Sequence, residues 1–148
     1  MEIKIKKSRG FTLIELLVVI SIIGLLASVV LVAVNNARQK GRDAKRIGDL
    51  TQFAKALELY FNDKFSYPTT NTSIQLSQLV GLTPTYLVTM PATVTPADGS
   101  CTAGPGPGTN DYWYYANGGA TYGLTFCLGS AMGNLSKGPH TLTQGGFQ

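Results

Sequence analysis

The fold is decided by the stretch Lys6-Lys7-Ser8-Arg9-Gly10-Phe11-Thr12-Leu13-Ile14-Glu15, which runs directly into an uncharged apolar block from Leu16 to Val34. The block has 19 residues, and a helix of that length reaches roughly 28 Å, close to the hydrocarbon thickness of a bilayer. A carboxylate at the start of such a helix is costly to bury. Glu15 therefore indicates a specific partner, for which we expect another copy of this chain.

Positive charge is concentrated on both sides of this block. Of the twelve Lys and Arg residues, five lie between Arg38 and Arg46 and four precede Gly10, namely Lys4, Lys6, Lys7 and Arg9. Because both flanks are basic, the positive-inside rule does not orient the span. From Phe65 onward only Asp98, Asp111 and Lys137 are charged. So neutral a surface argues against nucleic-acid binding by the C-terminal half.

The helix is predicted to continue beyond the apolar block. Residues 35–46 are polar and contain no breaker stronger than Gly41. Beyond them, apolar side chains recur at the spacing of one helical face, at Ile47, Leu50, Ala54, Leu57 and Phe61. The first proline of the chain is Pro68. We therefore predict one helix from about Phe11 to about Asn62, whose apolar stripe requires a small domain to cover it.

The remaining chain is predicted to form that domain. Residues 73–82 have the pattern of a short helix with Ser73 as N-cap, and residues 91–110 read as a Pro/Gly loop. Two aromatic runs, 112–115 and 122–128, flank Asn117-Gly118-Gly119 and predict a hairpin that lies on the helical stripe. Residues 129–148 are expected to be irregular. The predicted fold class is α+β: a long N-terminal helix packed on a small antiparallel β region.

Two cysteines, Cys101 and Cys127, occur in this C-terminal half. A cysteine pair in a small domain is best interpreted as a disulfide formed outside the cytoplasm, with two buried thiols as the alternative. One histidine and two cysteines do not have the spacing of a zinc site. The sequence also shows no nucleophile paired with a base and no glycine-rich phosphate-binding loop. We therefore predict no cofactor, no metal and no enzymatic activity.

The chain resembles type IV pilins and type II secretion major pseudopilins over residues 1 to about 70. The resemblance rests on Lys6 to Glu15, on the apolar block, and on the run from Asp43-Ala44-Lys45-Arg46 through residues 56–60 to Tyr67-Pro68. It implies a leader at 1–10, a transmembrane and assembly helix at 11–34, an amphipathic half at 35–64, and a pilin-like globular head at 65–148. The chain departs from the family at Lys64-Phe65, where a glycine is usual.

The resemblance implies cleavage between Gly10 and Phe11 by a prepilin peptidase, followed by methylation of the new Phe11 amine. The basic leader would hold the scissile bond at the anionic cytoplasmic surface of the membrane. The alternative is an uncleaved signal-anchor helix in which Gly10 only forms a turn.

Glu15 has two interpretations. Thr12 and Glu15 have the spacing of a capping box, so the carboxylate can serve the helix start alone. The family resemblance instead implies assembly, in which Glu15 pairs with the Phe11 amine of an adjacent subunit and sets its register. Gly24 and Ser28, four residues apart, predict close helix packing in the same assembly.

The function expected from the resemblance is that of a structural subunit of a type IV pilus or type II secretion pseudopilus. Its expected partners are further copies of itself, a prepilin peptidase, an assembly platform, minor pilins and membrane lipids, with DNA disfavoured. The precursor would cross the cytoplasmic membrane once and later enter a surface filament. The basic residues 38–46 could contact lipid headgroups, acids on adjacent helices or DNA. The alternative function is a singly anchored surface binding protein that does not polymerise.

Overall fold

The computed structural model of the chain describes residues 10–96 and 112–148. The chain divides into two compact units, Met1–Ala37 and Arg38–Gln148. The main helix, α1, runs from Leu13 to Lys64. The prediction of one long helix is confirmed, with both ends displaced by two residues because Thr12 caps the start and Phe65 closes the end.

The second unit contains an antiparallel sheet whose strands follow the order of the chain. The five strands are β1 (Ile74–Gln75), β2 (Trp113–Tyr115), β3 (Gly123–Leu128), β4 (Gly138–Thr143) and β5 (Gly146–Phe147). Tyr114 lies opposite Leu124 in the β2–β3 pair. The predicted hairpin is therefore confirmed, and the α+β class with it.

The apolar stripe of α1 forms the core together with this sheet. Leu50, Phe53 and Leu57 are fully buried, and Ile47, Ala54 and Phe61 pack at the margin of the same cluster. The Phe53 and Tyr114 rings meet edge to face with centroids 6.2 Å apart, an arrangement that aromatic rings prefer. The prediction that the hairpin covers the helical stripe is confirmed.

The β2–β3 turn is hydrogen-bonded to the segment that directly follows α1. Gly118 and Gly119 have φ values of +69° and +72°, a region that glycine enters without steric cost. The Tyr67 amide donates to the Gly119 carbonyl at 2.8 Å. A β-carbon on Gly119 would lie 3.0 Å from Ser66 Cβ, so this turn requires glycine for both conformation and space.

Two predictions about the C-terminal half were wrong. Residues 73–82 do not form a helix: Ile74 and Gln75 pair with Tyr114 and Trp113 as β1, and only Leu76–Gln78 makes a 3₁₀ turn. The backbone of this segment is therefore used by the sheet.

The tail also forms strands, because residues 138–142 of β4 pair with β3 and β5 folds back on the end of β4. Leu142 supplies the buried side chain of β4. Of the predicted loop 91–110, residues 91–96 are irregular, as expected, and the rest lies outside the described residues.

Candidate processing and assembly site

The Gly10–Phe11 bond is exposed and precedes the first residue of α1. The Phe11 side chain is 82% exposed. A β-carbon on Gly10 would meet no atom within 4 Å, so nothing in the described chain requires glycine at this position. The basic leader residues Lys4, Lys6, Lys7 and Arg9 lie outside the described residues.

Thr12 and Glu15 form the capping box at the start of α1. The Thr12 backbone N–H and its hydroxyl both donate to Glu15 Oε2, at 2.8 and 2.6 Å. In return, the Glu15 N–H donates to Thr12 Oγ1 at 3.3 Å. These bonds satisfy donors that a helix N-terminus otherwise leaves open. The capping interpretation of Glu15 therefore holds within a single chain.

The box uses only one of the two carboxylate oxygens. Within the described residues, every hydrogen bond that Glu15 accepts goes to Oε2. Phe11, Ile14, Val18 and Val19 line a shallow, mainly apolar groove together with Glu15. An anionic oxygen in such surroundings attracts a cationic donor from outside the chain. Capping and pairing with a neighbour are thus compatible roles for this side chain.

The apolar part of α1 is uncovered. The most apolar 18-residue stretch of this helix is not buried at all by the rest of the described chain. Length and composition suffice to cross a membrane, although a signal sequence near an N-terminus has the same properties. So large an apolar face requires lipid or other helices around it.

Small and hydroxylated residues interrupt this face without engaging other parts of the chain. Ser21 Oγ and Ser28 Oγ donate to carbonyls of the preceding turn, at 2.8 and 2.7 Å. Gly24 has no atom within 4 Å of the position of a β-carbon. The hydroxyls are therefore satisfied in an apolar medium, and Gly24 leaves room for another helix.

A buried ion pair anchors the start of the second unit. Arg46 Nη1 donates to Asp43 Oδ1 at 2.6 Å, and both side chains are 0% exposed. Asp43 also accepts the Gly129 and Ser130 amides at 3.0 and 2.8 Å and the Ser130 hydroxyl at 2.7 Å. A carboxylate with four donors is well compensated for its burial. This pair ties α1 to the end of β3.

The expectation for the basic cluster is corrected by this pair. Arg46 was expected, with the other basic residues of 38–46, to contact lipid headgroups, DNA or acids on adjacent helices, and Asp43 was expected to be one of those acids. Both are instead used inside their own chain, whereas Arg38, Lys40 and Lys45 are exposed. Sequence reasoning missed the pair because its signal, an Asp and an Arg three residues apart on the buried side of α1, is meaningful only once the partner loop is known.

The N-terminal segment of the chain matches a known protein family. The family described as "Prokaryotic N-terminal methylation motif" matches residues 5–31. This range contains the exposed Gly10–Phe11 bond, the capping box, Gly24 and Ser28. The chain has a prepilin-type N-terminus.

Curated relatives agree with this prepilin motif. The chain is 42% identical to type II secretion system core protein G of Escherichia coli (strain K12) over 69 residues, which is 47% of this chain and 48% of the relative. It is 40% identical over 70 residues to the core protein G of Klebsiella pneumoniae, covering 47% and 50% of the two chains. The Vibrio cholerae serotype O1 protein is 36% identical over 72 residues, or 49% of each chain.

The chain spans about half the length of the curated relatives that it matches. No solved structure matches it significantly. The matched relatives are named as components of a secretion system, and none of these names describes a catalytic activity.

Other predicted sites lie in or beside the second unit of the chain. Cys127 is buried in β3, whereas Cys101 lies outside the described residues, so their pairing stays a prediction. Within residues 10–96 and 112–148, no three His, Cys, Asp or Glu side chains are grouped as a metal site would require.

A small cavity lies beside Tyr112 in the second unit. It has a volume of about 180 Å³ and is lined by Leu76, Pro91, Ala92 and Tyr112, among others. Burial, and then the nearby Asp49 carboxylate, raise the pKa of Tyr112 well above its usual range. Among the residues that the structure describes, its buried hydroxyl oxygen has no hydrogen-bond partner. Sequence reasoning did not predict this cavity, because its walls come from segments far apart in the chain.

Proposed function

We propose that this chain is a structural subunit of a type II secretion pseudopilus or a related type IV pilus. The observation that carries the proposal is the capped Glu15 carboxylate, which lies inside the methylation motif and keeps one oxygen available at the start of an uncovered apolar helix. The named relatives, components of type II secretion systems, support the pseudopilus form.

The proposed sequence of events begins at the membrane. The apolar half of α1 anchors the precursor in the cytoplasmic membrane with the basic leader on the cytoplasmic side. A prepilin peptidase cleaves after Gly10, and the new Phe11 amine is methylated while keeping its positive charge. An assembly platform and minor pilins then add the mature subunit to the filament, in which the helix leaves lipid for a bundle of like helices. DNA is not among the proposed partners.

Glu15 sets the register of this assembly. Burying an unpaired carboxylate in the apolar bundle costs free energy. A subunit therefore binds at the axial position where its Glu15 Oε1 contacts the Phe11 amine of its neighbour. The Thr12 bonds to Oε2 hold the carboxylate in place for that contact. Gly24 and Ser28 allow the neighbouring helix to approach closely.

Two variants separate pairing from capping. Glu15→Gln keeps an oxygen that accepts the Thr12 bonds and removes the charge, whereas Thr12→Ala weakens the cap and keeps the charge. We expect Glu15→Gln to be cleaved normally and to assemble at least tenfold less, while Thr12→Ala assembles nearly as the parent chain does. Mass spectrometry of the mature N-terminus and negative-stain microscopy provide the two readouts.

The same experiment tests the alternative function. Methylated Phe11 as the first residue and thin filaments support the subunit. An intact leader, with only monomeric protein in the membrane, identifies a singly anchored surface protein instead. Filaments at parental yield from Glu15→Gln would remove the register role from Glu15.

A further inference from the structure

The residue that closes α1 combines an unfavourable backbone with an exposed aromatic ring. Phe65 has a φ of +57°, and its N–H donates to the Phe61 carbonyl at 2.7 Å. This is the left-handed position after a helix end, which glycine occupies most easily. The Phe65 ring is 84% exposed. Contacts inside the chain therefore do not explain why a bulky side chain stands at a strained position.

The cavity beside Tyr112 matches a phenyl ring in size. Its lining is mixed, because Gln75, Ser77 and Thr93 add polar groups to an otherwise apolar and aromatic wall. Its volume is about 180 Å³, and a cavity of about 150 Å³ with apolar walls is sufficient to bind benzene. Leu76, Pro91 and Ala92 supply apolar surface, and Tyr112 supplies an aromatic residue. A ring inserted there would remove apolar surface of both partners from water.

Phe65 cannot fill the cavity of its own chain. Arg46 Nη2 donates to the Val94 carbonyl at 3.4 Å, and Val94 directly follows the cavity-lining residue Thr93. The cavity therefore lies near the level of Arg46 and Asp49 along α1. Phe65 follows Arg46 by 19 residues, which corresponds to about 28 Å along a helix. The ring can reach this cavity only in another copy of the chain.

The accessible charges beside the two features have opposite signs, because Arg46, which also acts on Tyr112, is fully buried and paired with Asp43. Lys64 is exposed next to Phe65, and the other adjacent charge, Asp63, accepts a hydrogen bond from the Tyr86 hydroxyl at 2.9 Å. On the cavity side, Asp49 is partly exposed and close enough to act electrostatically on Tyr112. A lysine beside the ring would thus meet an aspartate beside the cavity, which favours this pairing over one between like charges.

We infer that Phe65 of one subunit inserts into the cavity beside Tyr112 of the next subunit, with Lys64 facing Asp49. The ring and the cavity lie at different levels of the same unit, so the contact is head-to-tail and repeats along an open polymer. The inference rests on the proposed function and adds to it a contact between heads, independent of the N-terminal helix bundle. The partner is a second copy of this chain.

The first test removes the ring or fills the cavity in the full-length chain, produced with its assembly apparatus. Phe65→Gly deletes the ring and suits the backbone, and Ala92→Phe occupies the cavity from within. We expect each variant to be cleaved at Gly10 and to give at least tenfold fewer filaments. The matched control is Val88→Gly, which alters another apolar residue, 86% exposed, and should assemble normally. Parental yield from Phe65→Gly overturns the inference.

A charge exchange shows that the contact joins two copies. Lys64→Glu and Asp49→Lys should each lower filament yield, and the double variant should recover at least threefold over either. The two residues are 15 positions apart on α1, about 22 Å along the helix, so recovery cannot arise within one chain. Absence of recovery overturns the inference.

The outcomes also separate this contact from the proposed function. If the parent chain forms no filaments, the proposed function fails. If the parent forms filaments and the Phe65 and charge variants do so equally, the subunit role stands and only the head-to-tail contact is refuted. Fluorescence of Trp113, the single tryptophan, verifies that each variant is folded.

Discussion

Replacing Asp43 with Asn is expected to lower the unfolding free energy of the second unit by about 3–5 kcal/mol, because it leaves a buried cation without its counter-ion. Asp43 and Arg46 are both fully buried. Oδ1 accepts from Arg46 and Gly129, and Oδ2 accepts from the amide and hydroxyl of Ser130. The substitution preserves the shape of the side chain and removes its charge.

The magnitude follows from these four bonds. An asparagine that keeps its oxygen toward Arg46 and Gly129 turns its NH₂ group toward Ser130. The bond from the Ser130 amide is then lost, whereas the Ser130 hydroxyl can turn and accept a bond from the NH₂ group. The lost hydrogen bond costs about 1 kcal/mol. The larger part of the cost is the uncompensated Arg46 charge, for which breaking a buried pair typically totals about 3–5 kcal/mol.

The assay is guanidinium unfolding of the full-length chain in a non-denaturing detergent, followed by Trp113 fluorescence. Asp49→Asn is the matched control, because Asp49 is on the same helix and partly exposed; its change should stay within about 0.5 kcal/mol. The double variant Asp43→Asn, Arg46→Met should recover part of the loss. A loss below about 1 kcal/mol in Asp43→Asn would refute the reasoning.

Three further predictions use the same unfolding assay. Phe65→Gly should stabilise the chain by about 1 kcal/mol, since glycine avoids the left-handed strain; a loss of stability would contradict this. Gly119→Ala should cost about 1–3 kcal/mol, because the new β-carbon would lie 3.3 Å from the Tyr67 carbonyl oxygen at a φ of +72°; an unchanged midpoint would argue against it. Burial raises the pKa of Tyr122 to about 12, above the unfolded value of about 10. The unfolded state therefore releases this proton first, and Tyr122 should contribute up to about 2–3 kcal/mol to the fall in stability above pH 10. Tyr67, Tyr112 and Tyr114, whose pKa values are also raised by burial, add to the same decline. Tyr122→Phe should flatten that alkaline decline, and an equally steep decline in the variant would assign it to other groups.

The long helix and the central hairpin were predictable because their signals are local. The spacing of Leu50, Leu57 and their neighbours specifies one helical face, and Asn117-Gly118-Gly119 between aromatic runs specifies a turn. The capping box was equally visible, since Thr12 and Glu15 lie within one turn. In each case the residues that make the structure are close together in the chain.

The errors concern structure that depends on distant partners. Residues 73–82 have a helical pattern, yet Ile74 pairs with Tyr114, and no local rule reveals that pairing. In β4 the single fully buried side chain is Leu142, so the alternation typical of a strand is weak. The buried Asp43–Arg46 pair was not predicted, because Gly129 and Ser130, which complete its hydrogen bonds, lie more than eighty residues away in the chain.

The two edge strands of the sheet affect how readily the second units of different molecules would pair with one another. Within the described residues, both outer strands, β1 and β5, are two residues long. β5 pairs only with Leu142 and Thr143 of β4, and the uncovered part of β4 contains Pro139, which has no amide hydrogen to donate. These edges are therefore poor templates for a strand from another molecule. Second units held side by side at very high local concentration would therefore resist amyloid-like strand pairing. Side chains and the N-terminal helix would then determine the geometry of any fibre.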